Sequence, residues 1–140
     1  MVGNLRPILI VEDDNVDAMT VERAFGDLKI ENSLVHLSNG EEALEYLKNK
    51  GNKKPCLILL DLNMPKMNGI EFLKIIKSDE VLKRIPVVVL TVSREQQDKV
   101  ESFRLGVAGY VIKPIDYGDF VEAIGTINMY WNFSEIPNVK

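Results

Sequence analysis

The chain has 140 residues, 46% of them hydrophobic and 27% charged, and this balance is typical of one folded globular domain rather than a disordered segment. Its 17 basic and 21 acidic residues give a net charge of −4, which argues against nucleic acid as a direct partner. No apolar run approaches the roughly 20 residues of a membrane span, and no signal peptide is recognisable. The single cysteine, Cys56, allows no disulfide within the chain, and a cytoplasmic protein is expected.

Strand-like segments recur along the chain. Short apolar runs predict five strands, at residues 7–12, 33–37, 56–60, 86–91 and 109–112. Four of these runs are continuously apolar, which is typical of strands buried on both faces of a parallel sheet. The run at 33–37 contains His36 and is expected nearer an edge of the sheet.

Helical patterns fill the gaps between the predicted strands. Apolar residues spaced by three or four positions predict the first, third and fifth helices. These stripes are Ala18, Val21, Phe25 and Leu28, then Ile70, Leu73 and Ile76, then Phe120, Ile124, Ile127 and Trp131. Capping boxes that begin at Ser38 and Ser93 predict the starts of the second and fourth helices. The fourth helix is polar and is expected to bury little beyond Val100 and Phe103.

The alternation βαβαβαβαβα predicts an α/β fold, a doubly wound five-stranded parallel sheet with strand order 2-1-3-4-5 and helices on both faces. One domain is expected to span residues 1–140, with a core at about 6–133, a tail at 134–140 and no output domain.

Polar side chains stand where the predicted strands end. Strand 1 ends in Glu12 and Asp13, strand 3 in Asp61, strand 4 in Thr91, and strand 5 just before Lys113. Ligands of open α/β sheets bind at the carboxyl ends of the strands, where the strand order reverses. Because strands 1 and 3 are neighbours in the order 2-1-3-4-5, three carboxylates, a hydroxyl and an ammonium group are expected at one rim.

Three carboxylates at one rim repel one another and need a cation or a proton at neutral pH. A divalent cation with oxygen ligands relieves this repulsion, and Mg²⁺ fits best. The predicted metal ligands are Glu12, Asp13, Asp61 and the backbone carbonyl of Asn63.

A phosphoryl group is the predicted substrate of this rim, because Mg²⁺ pairs with phosphate oxygens in proteins. Asp61 ends the most apolar and therefore most central strand, and it is the predicted acceptor. Lys113 and Thr91 are expected to bind the equatorial oxygens of the phosphoryl group, so that the site works by positioning and charge neutralisation.

At these residues the sequence resembles the receiver domains of two-component response regulators. The resemblance implies a flavodoxin-like fold in which Asp61 accepts a phosphoryl group from a phosphohistidine of a sensor kinase, while Thr91 and Tyr110 shift inward on phosphorylation. It also implies a junction, Lys113-Pro114, that is often a cis peptide in the family. The matching pieces are Glu12 and Asp13 in VEDD, DLNMPKMNG at residues 61–69, Thr91 in LTVS, Tyr110, and Lys113-Pro114.

The sequence looks more specifically like small stand-alone receivers that serve bacteriophytochrome-type kinases. This likeness lies in the stretch 78–98, the basic loop before strand 3 and the aromatic segment MYWNF.

Two residues depart from the common family pattern. Glu12 stands where many members have Asp, and its longer side chain favours a water-bridged metal contact. Val92 stands where a small residue is usual, and it is expected to crowd the phosphate site and slow attack there.

The resemblance therefore implies a phosphorylation-dependent switch that catalyses its own aspartyl phosphorylation and dephosphorylation and is not a turnover enzyme. Its implied partners are a sensor histidine kinase, phytochrome-like in this subgroup, and a downstream protein or phosphotransfer partner. A second copy of the chain is another candidate, through the face of helix 4, strand 5 and helix 5.

Two alternatives stay open at this point. An aspartate-nucleophile phosphohydrolase would share the Asp, Lys and Mg²⁺ but needs an Asp at the position of Asn63. A receiver that binds partners without phosphorylation would not need the complete set of site residues.

A calcium loop starting at Asp13, Asn15 and Asp17 fails, because alanines stand at the required glycine and glutamate positions.

Overall fold

The computed structural model describes residues 6–133, with the side chains of residues 6–130. The five strands form one parallel sheet of order β2-β1-β3-β4-β5, which confirms the predicted topology. Their bounds agree with the predicted runs to within one residue at each end. The strands are β1 (Ile8–Val11), β2 (Leu34–Leu37), β3 (Leu57–Leu60), β4 (Val87–Thr91) and β5 (Gly109–Ile112).

Helices cover both faces of the sheet, because successive residues of a strand point to opposite sides. The helices are α1 (Asn15–Asp27), α2 (Gly40–Lys48), α3 (Gly69–Lys77), α4 (Gln96–Arg104) and α5 (Tyr117–Phe133), and a short 3₁₀ turn spans Leu82–Arg84. Leu9 and Val11 of β1 face the core under α2 and α3, whereas Ile8 and Ile10 face the core under α1 and α5. Within residues 6–133, no helix is both long and apolar enough to cross a membrane.

The central strands are the buried ones. All residues of β1, β3 and β4 are buried, and β2 is half-buried at an edge, as predicted from its histidine. The prediction that β5 is buried on both faces is wrong, since all four of its residues are half-buried. The reason is topological: the order β2-β1-β3-β4-β5 makes β5 the other edge of the sheet.

Both predicted capping boxes are incorrect in detail. The N-cap of α2 is Asn39, whose side chain accepts a hydrogen bond from the backbone N–H of Glu42. The N-cap of α4 is Glu95, which makes no side-chain cap, and the hydroxyl of Ser93 donates to Asp98 in the first turn of the helix. A full capping box opens α3, between Asn68 and Glu71, although it was not predicted.

The prediction that α4 buries Val100 and Phe103 is also wrong. Val100 and Phe103 are 47% and 54% exposed, and the buried residue of this helix is the small Ser102. The stripe of α5 is confirmed at Phe120 and Ile124, which are buried. The side chain of Trp131 and the predicted tail at 134–140 lie outside the described residues.

Candidate functional site

Three carboxylates meet at the carboxyl ends of β1 and β3, as the strand-end pattern predicts. One oxygen each of Glu12, Asp13 and Asp61 lies within 4.8 Å of the others. The backbone places them there, because Val11 and Leu60 are paired across the two strands and the N–H of Asp61 donates to the carbonyl of Val11 at 3.0 Å. Glu12 and Asp61 are buried, whereas Asp13 is exposed and forms the solvent side of the cluster.

One oxygen of this cluster has no partner. Oδ1 of Asp61 is buried and accepts no hydrogen bond from any residue in the described part of the chain. Such a buried polar atom costs about 1–3 kcal/mol when it is left unsatisfied. The orphaned oxygen, with two further carboxylates close by, fits a hard divalent cation.

The loop after Asp61 is folded tightly onto itself. The N–H of Gly69 donates to the carbonyl of Leu62 at 3.1 Å. A Cβ at position 69 would lie 2.7 Å from the carbonyl oxygen of Asp61, so this approach requires glycine. Asn63 is exposed at the start of the loop, and the metal contact of its carbonyl stays a prediction.

Lys113 lies at the rim as predicted, but the carboxylates that bind it are on β1 and α1. Its Nζ is 2.6 Å from Oε1 of Glu12 and 2.8 Å from Oδ2 of Asp17. The Lys113 side chain is 10% exposed, and its ion pair with the buried Glu12 lies largely out of water, whereas Asp17 is 42% exposed. Within residues 6–133 every peptide bond is trans, so the Lys113-Pro114 junction differs from the cis form common in the family.

Asp17 is a site residue that the strand-end pattern does not reveal. It lies in the first turn of α1, and its N–H donates to the side chain of Asp14, which caps the helix. A carboxylate is stabilised at this end of a helix by the partial positive charge of the unpaired N–H groups. The available signal was an acidic residue one turn into the helix that follows the acidic strand end.

Burial and neighbouring charges shift two pKa values in the cluster. Burial, reinforced by the negative charge of Asp61, raises the pKa of Glu12 to about 7, although the hydrogen bond from Lys113 opposes this shift. Burial alone would lower the pKa of Lys113, but its hydrogen bonds to Asp17 and Glu12 raise it overall. The ammonium is therefore charged at neutral pH, and it neutralises only part of the acidic cluster.

Thr91 and Tyr110 are linked through one residue of the loop that follows β4. The hydroxyl of the fully buried Thr91 accepts a hydrogen bond from the N–H of Ser93 at 3.3 Å. The hydroxyl of Tyr110 donates to the carbonyl of Ser93 at 3.0 Å. Thr91 and Tyr110 are therefore joined through Ser93, a connection that the strand-end pattern does not reveal.

Val92 lies between these residues in sequence, but its side chain is 62% exposed. The expected crowding of the phosphate site by Val92 therefore has no support from its burial, and its effect on rates stays a prediction.

Comparison with known proteins agrees with this geometry. Residues 8–125 match the family of response regulator receiver domains. The probable methanogenesis regulatory protein FilR2 of Methanothrix harundinacea is 40% identical over 127 residues, covering 89% of this chain and 82% of that protein. The response regulator Rcp1 of Synechocystis sp. is 38% identical over 128 residues, covering 89% of this chain and 87% of Rcp1.

Solved structures of receivers superpose closely. The phosphorylated cyanobacterial phytochrome response regulator RcpA has a TM-score of 0.88 at 34% identity, covering 96% of this chain and 99% of RcpA. The Mn²⁺-bound form of Rcp1 has a TM-score of 0.86 at 36% identity, covering 95% of this chain and 99% of Rcp1. The sheet order, the acidic cluster and the match over most of the chain lead to one conclusion: the chain belongs to the family of response regulator receiver domains, which act as signalling switches.

Proposed function

We propose that this receiver is a phosphorylation-dependent switch that accepts a phosphoryl group on Asp61 from a sensor histidine kinase. The observation that carries the proposal is the buried, unpartnered Oδ1 of Asp61 beside the carboxylates of Glu12 and Asp13. A structural carboxylate would be expected to have its buried oxygens satisfied. An oxygen held ready at the end of a rigid central strand is instead suited to take a new bond.

The proposed metal is Mg²⁺, held by Glu12, Asp13, Asp61 and the backbone carbonyl of Asn63. The orphaned oxygen of Asp61 and the two neighbouring carboxylates support this donor set, and the Mn²⁺-bound Rcp1 supports a divalent cation in a relative. When bound, the cation supplies neutralisation of the negative charge on the carboxylates and on an incoming phosphoryl group.

The proposed reaction is an exchange of one bond at phosphorus. One carboxylate oxygen of Asp61 forms the new P–O bond, while the P–N bond of a phosphohistidine breaks and the imidazole nitrogen keeps the electron pair. The Lys113 ammonium and the Thr91 hydroxyl bind the equatorial oxygens of the phosphoryl group, since both end at the same rim. Thr91 then moves toward the phosphoryl group, and Tyr110 repacks with it through Ser93.

The carboxyl end of the sheet that carries Glu12, Asp13 and Asp61 is called the acidic rim below. The proposed phosphodonor docks beside this acidic rim. Val16 and Met19 of α1 are 70% and 64% exposed, and Ile115 is fully exposed. The ion pair between Lys113 and Asp17 joins the two segments that carry these side chains. Apolar residues around a charged site fit a protein partner, and the likeness to RcpA supports a phytochrome-like kinase.

The proposed output surface is the face of α4, β5 and α5. Val100 and Phe103 are exposed there, and Tyr110 of β5 lies in the same region and links to the site through Ser93. A downstream protein, a second copy of the chain or a phosphotransfer partner in the cytoplasm would bind this face. Direct binding of nucleic acid is not proposed for a chain with a net charge of −4.

Incubation with acetyl phosphate and Mg²⁺, followed by intact mass measurement, tests the function. We expect an adduct of about 80 Da, the mass of one phosphoryl group, in the wild type and in Asp27→Asn, a control carboxylate at the far end of α1. We expect none in Asp61→Asn. An adduct that survives in Asp61→Asn, or no adduct in the wild type, would show the proposal to be wrong.

The two alternatives predict different results. A phosphohydrolase would turn over simple phosphate esters many times, which the exposed amide side chain of Asn63 does not support. A receiver that does not depend on phosphorylation would keep its partner affinity in Asp61→Asn after treatment with acetyl phosphate.

A further inference from the structure

We propose that Asp17 is a positioning residue that holds the Lys113 ammonium on α1 in the unphosphorylated chain and competes with the phosphoryl group for it. The inference rests on the proposed function, because it concerns the residue that binds the phosphoryl oxygens. It adds a residue outside the strand ends that sets how readily the switch accepts its phosphoryl group.

The hydrogen bonds of Lys113 show where the ammonium is held. Two carboxylates accept hydrogen bonds from Nζ, Glu12 at 2.6 Å and Asp17 at 2.8 Å. Asp61 accepts none at Oδ1, which stays without a partner in the described part of the chain. The ammonium is therefore held by the residue that follows β1 and by α1, and it makes no hydrogen bond to Oδ1 of Asp61.

Asp17 is well placed to act as a fixed anchor. Its helix begins at a side-chain cap, in which Oδ1 of Asp14 accepts from the N–H groups of Val16 and Asp17. One turn further on, Val21 is buried against the sheet. The Asp17 carboxylate thus sits on a rigid element and does not rely on a mobile loop for its position.

Asp17 is separate from the carboxylate cluster that fits the metal. The three residues with oxygens within 4.8 Å of one another are Glu12, Asp13 and Asp61. Asp17 is 42% exposed, and its contact with Lys113 is a charge-assisted hydrogen bond. Its carboxylate therefore favours the position of Lys113 seen here without supplying a metal ligand.

This arrangement makes the two positions of Lys113 compete. When a phosphoryl group arrives on Asp61, the proposed move of the ammonium toward its oxygens weakens the hydrogen bond to Asp17. Any group that binds the ammonium only in the unphosphorylated state opposes the change by the free energy of that bond. Loss of the Asp17 charge should therefore favour the phosphorylated state.

Beryllofluoride, a mimic of the phosphoryl group, tests the inference when its binding with Mg²⁺ is followed by NMR. We expect Asp17→Asn to raise the apparent affinity for beryllofluoride about fivefold, the effect of losing one partly exposed ion pair from the unbound state. Asp17→Glu should restore an affinity near that of the wild type. Asp14→Asn is the matched control: it removes a charge from the same helical turn, keeps a good N-cap and does not touch Lys113.

A double-mutant cycle with Lys113→Met shows whether Asp17 acts through Lys113. In the Lys113→Met background, adding Asp17→Asn should change the affinity by less than about twofold. An equal effect of Asp14→Asn, or a fivefold effect that persists without Lys113, would overturn the inference while leaving the proposed function intact. If the wild type binds no beryllofluoride and forms no phosphoryl adduct, the proposed function fails and this inference fails with it.

Discussion

The two rims of the same sheet carry opposite charges in very different surroundings. At the carboxyl ends of the strands, Glu12, Asp61 and Lys113 are almost fully removed from water. At the amino ends, an open cavity of about 790 Å³ is lined by five cationic side chains, which are largely or partly exposed. These five side chains, which form what is called the basic rim below, are Arg6, Lys48, Lys50, Lys53 and Lys54.

The difference shows that burial, more than the number of charges, sets how strongly the charges of a rim interact. Exposed charges are screened by water and salt, and each contributes little to stability or reactivity. The cations of the basic rim also have structural partners: Nζ of Lys54 donates to the carbonyl of Leu47 near the end of α2, and Arg6 donates to the carbonyl of Lys54. At the acidic rim, the buried charges of Glu12, Asp61 and Lys113 interact strongly because water is excluded.

Removing one cation from each rim should give the largest difference in the free energy of unfolding between the two rims. Lys113→Ala leaves Glu12 buried without its partner, so we expect the free energy of unfolding to fall by about 3 kcal/mol without Mg²⁺. Lys50→Ala, at the basic rim, should change it by less than about 0.5 kcal/mol. Urea denaturation at neutral pH measures both. Equal losses would mean that the two rims do not differ in the way described.

Replacing one glycine by alanine at each rim should give a smaller difference in stability. A Cβ at Gly69 meets the backbone of Asp61 and Leu62 at 2.7 and 2.8 Å, and backbone atoms cannot move aside cheaply. Gly69→Ala is therefore expected to cost about 2 kcal/mol. At the basic rim, a Cβ at Gly51 meets only the side-chain oxygen of Asn49 at 3.2 Å, and Gly51→Ala should cost less than about 0.5 kcal/mol. Thermal unfolding compares the two variants, and a tolerated Gly69→Ala would refute the tight packing of the loop.

The acidic rim could be predicted from the sequence because it depends on strand ends. Runs such as residues 56–60 identify buried parallel strands, and the order of the sheet then brings Glu12 and Asp61 together. Asp17 could not be predicted in this way, since its contact with Lys113 depends on how α1 is rotated against the sheet.

The errors in the predicted helices also have physical reasons. Ser38 and Asn39 are both good N-caps, and local sequence does not decide between two adjacent candidates. The stripe at Val100 and Phe103 has helical spacing, but spacing alone does not show whether a helix turns that side toward the core or toward solvent. On α4 the small Ser102 faces inward, so both apolar side chains remain exposed.

Backbone NMR spectra recorded before and after addition of Mg²⁺ and beryllofluoride test the central claim, that the buried acidic rim is the site of the switch. The largest shift changes are predicted at Glu12, Asp61 and Thr91, with further changes at Tyr110 and along α4. The basic rim should stay unchanged, and Asp61→Asn should abolish the response. Changes centred on residues 50–54, or a full response in Asp61→Asn, would contradict the account.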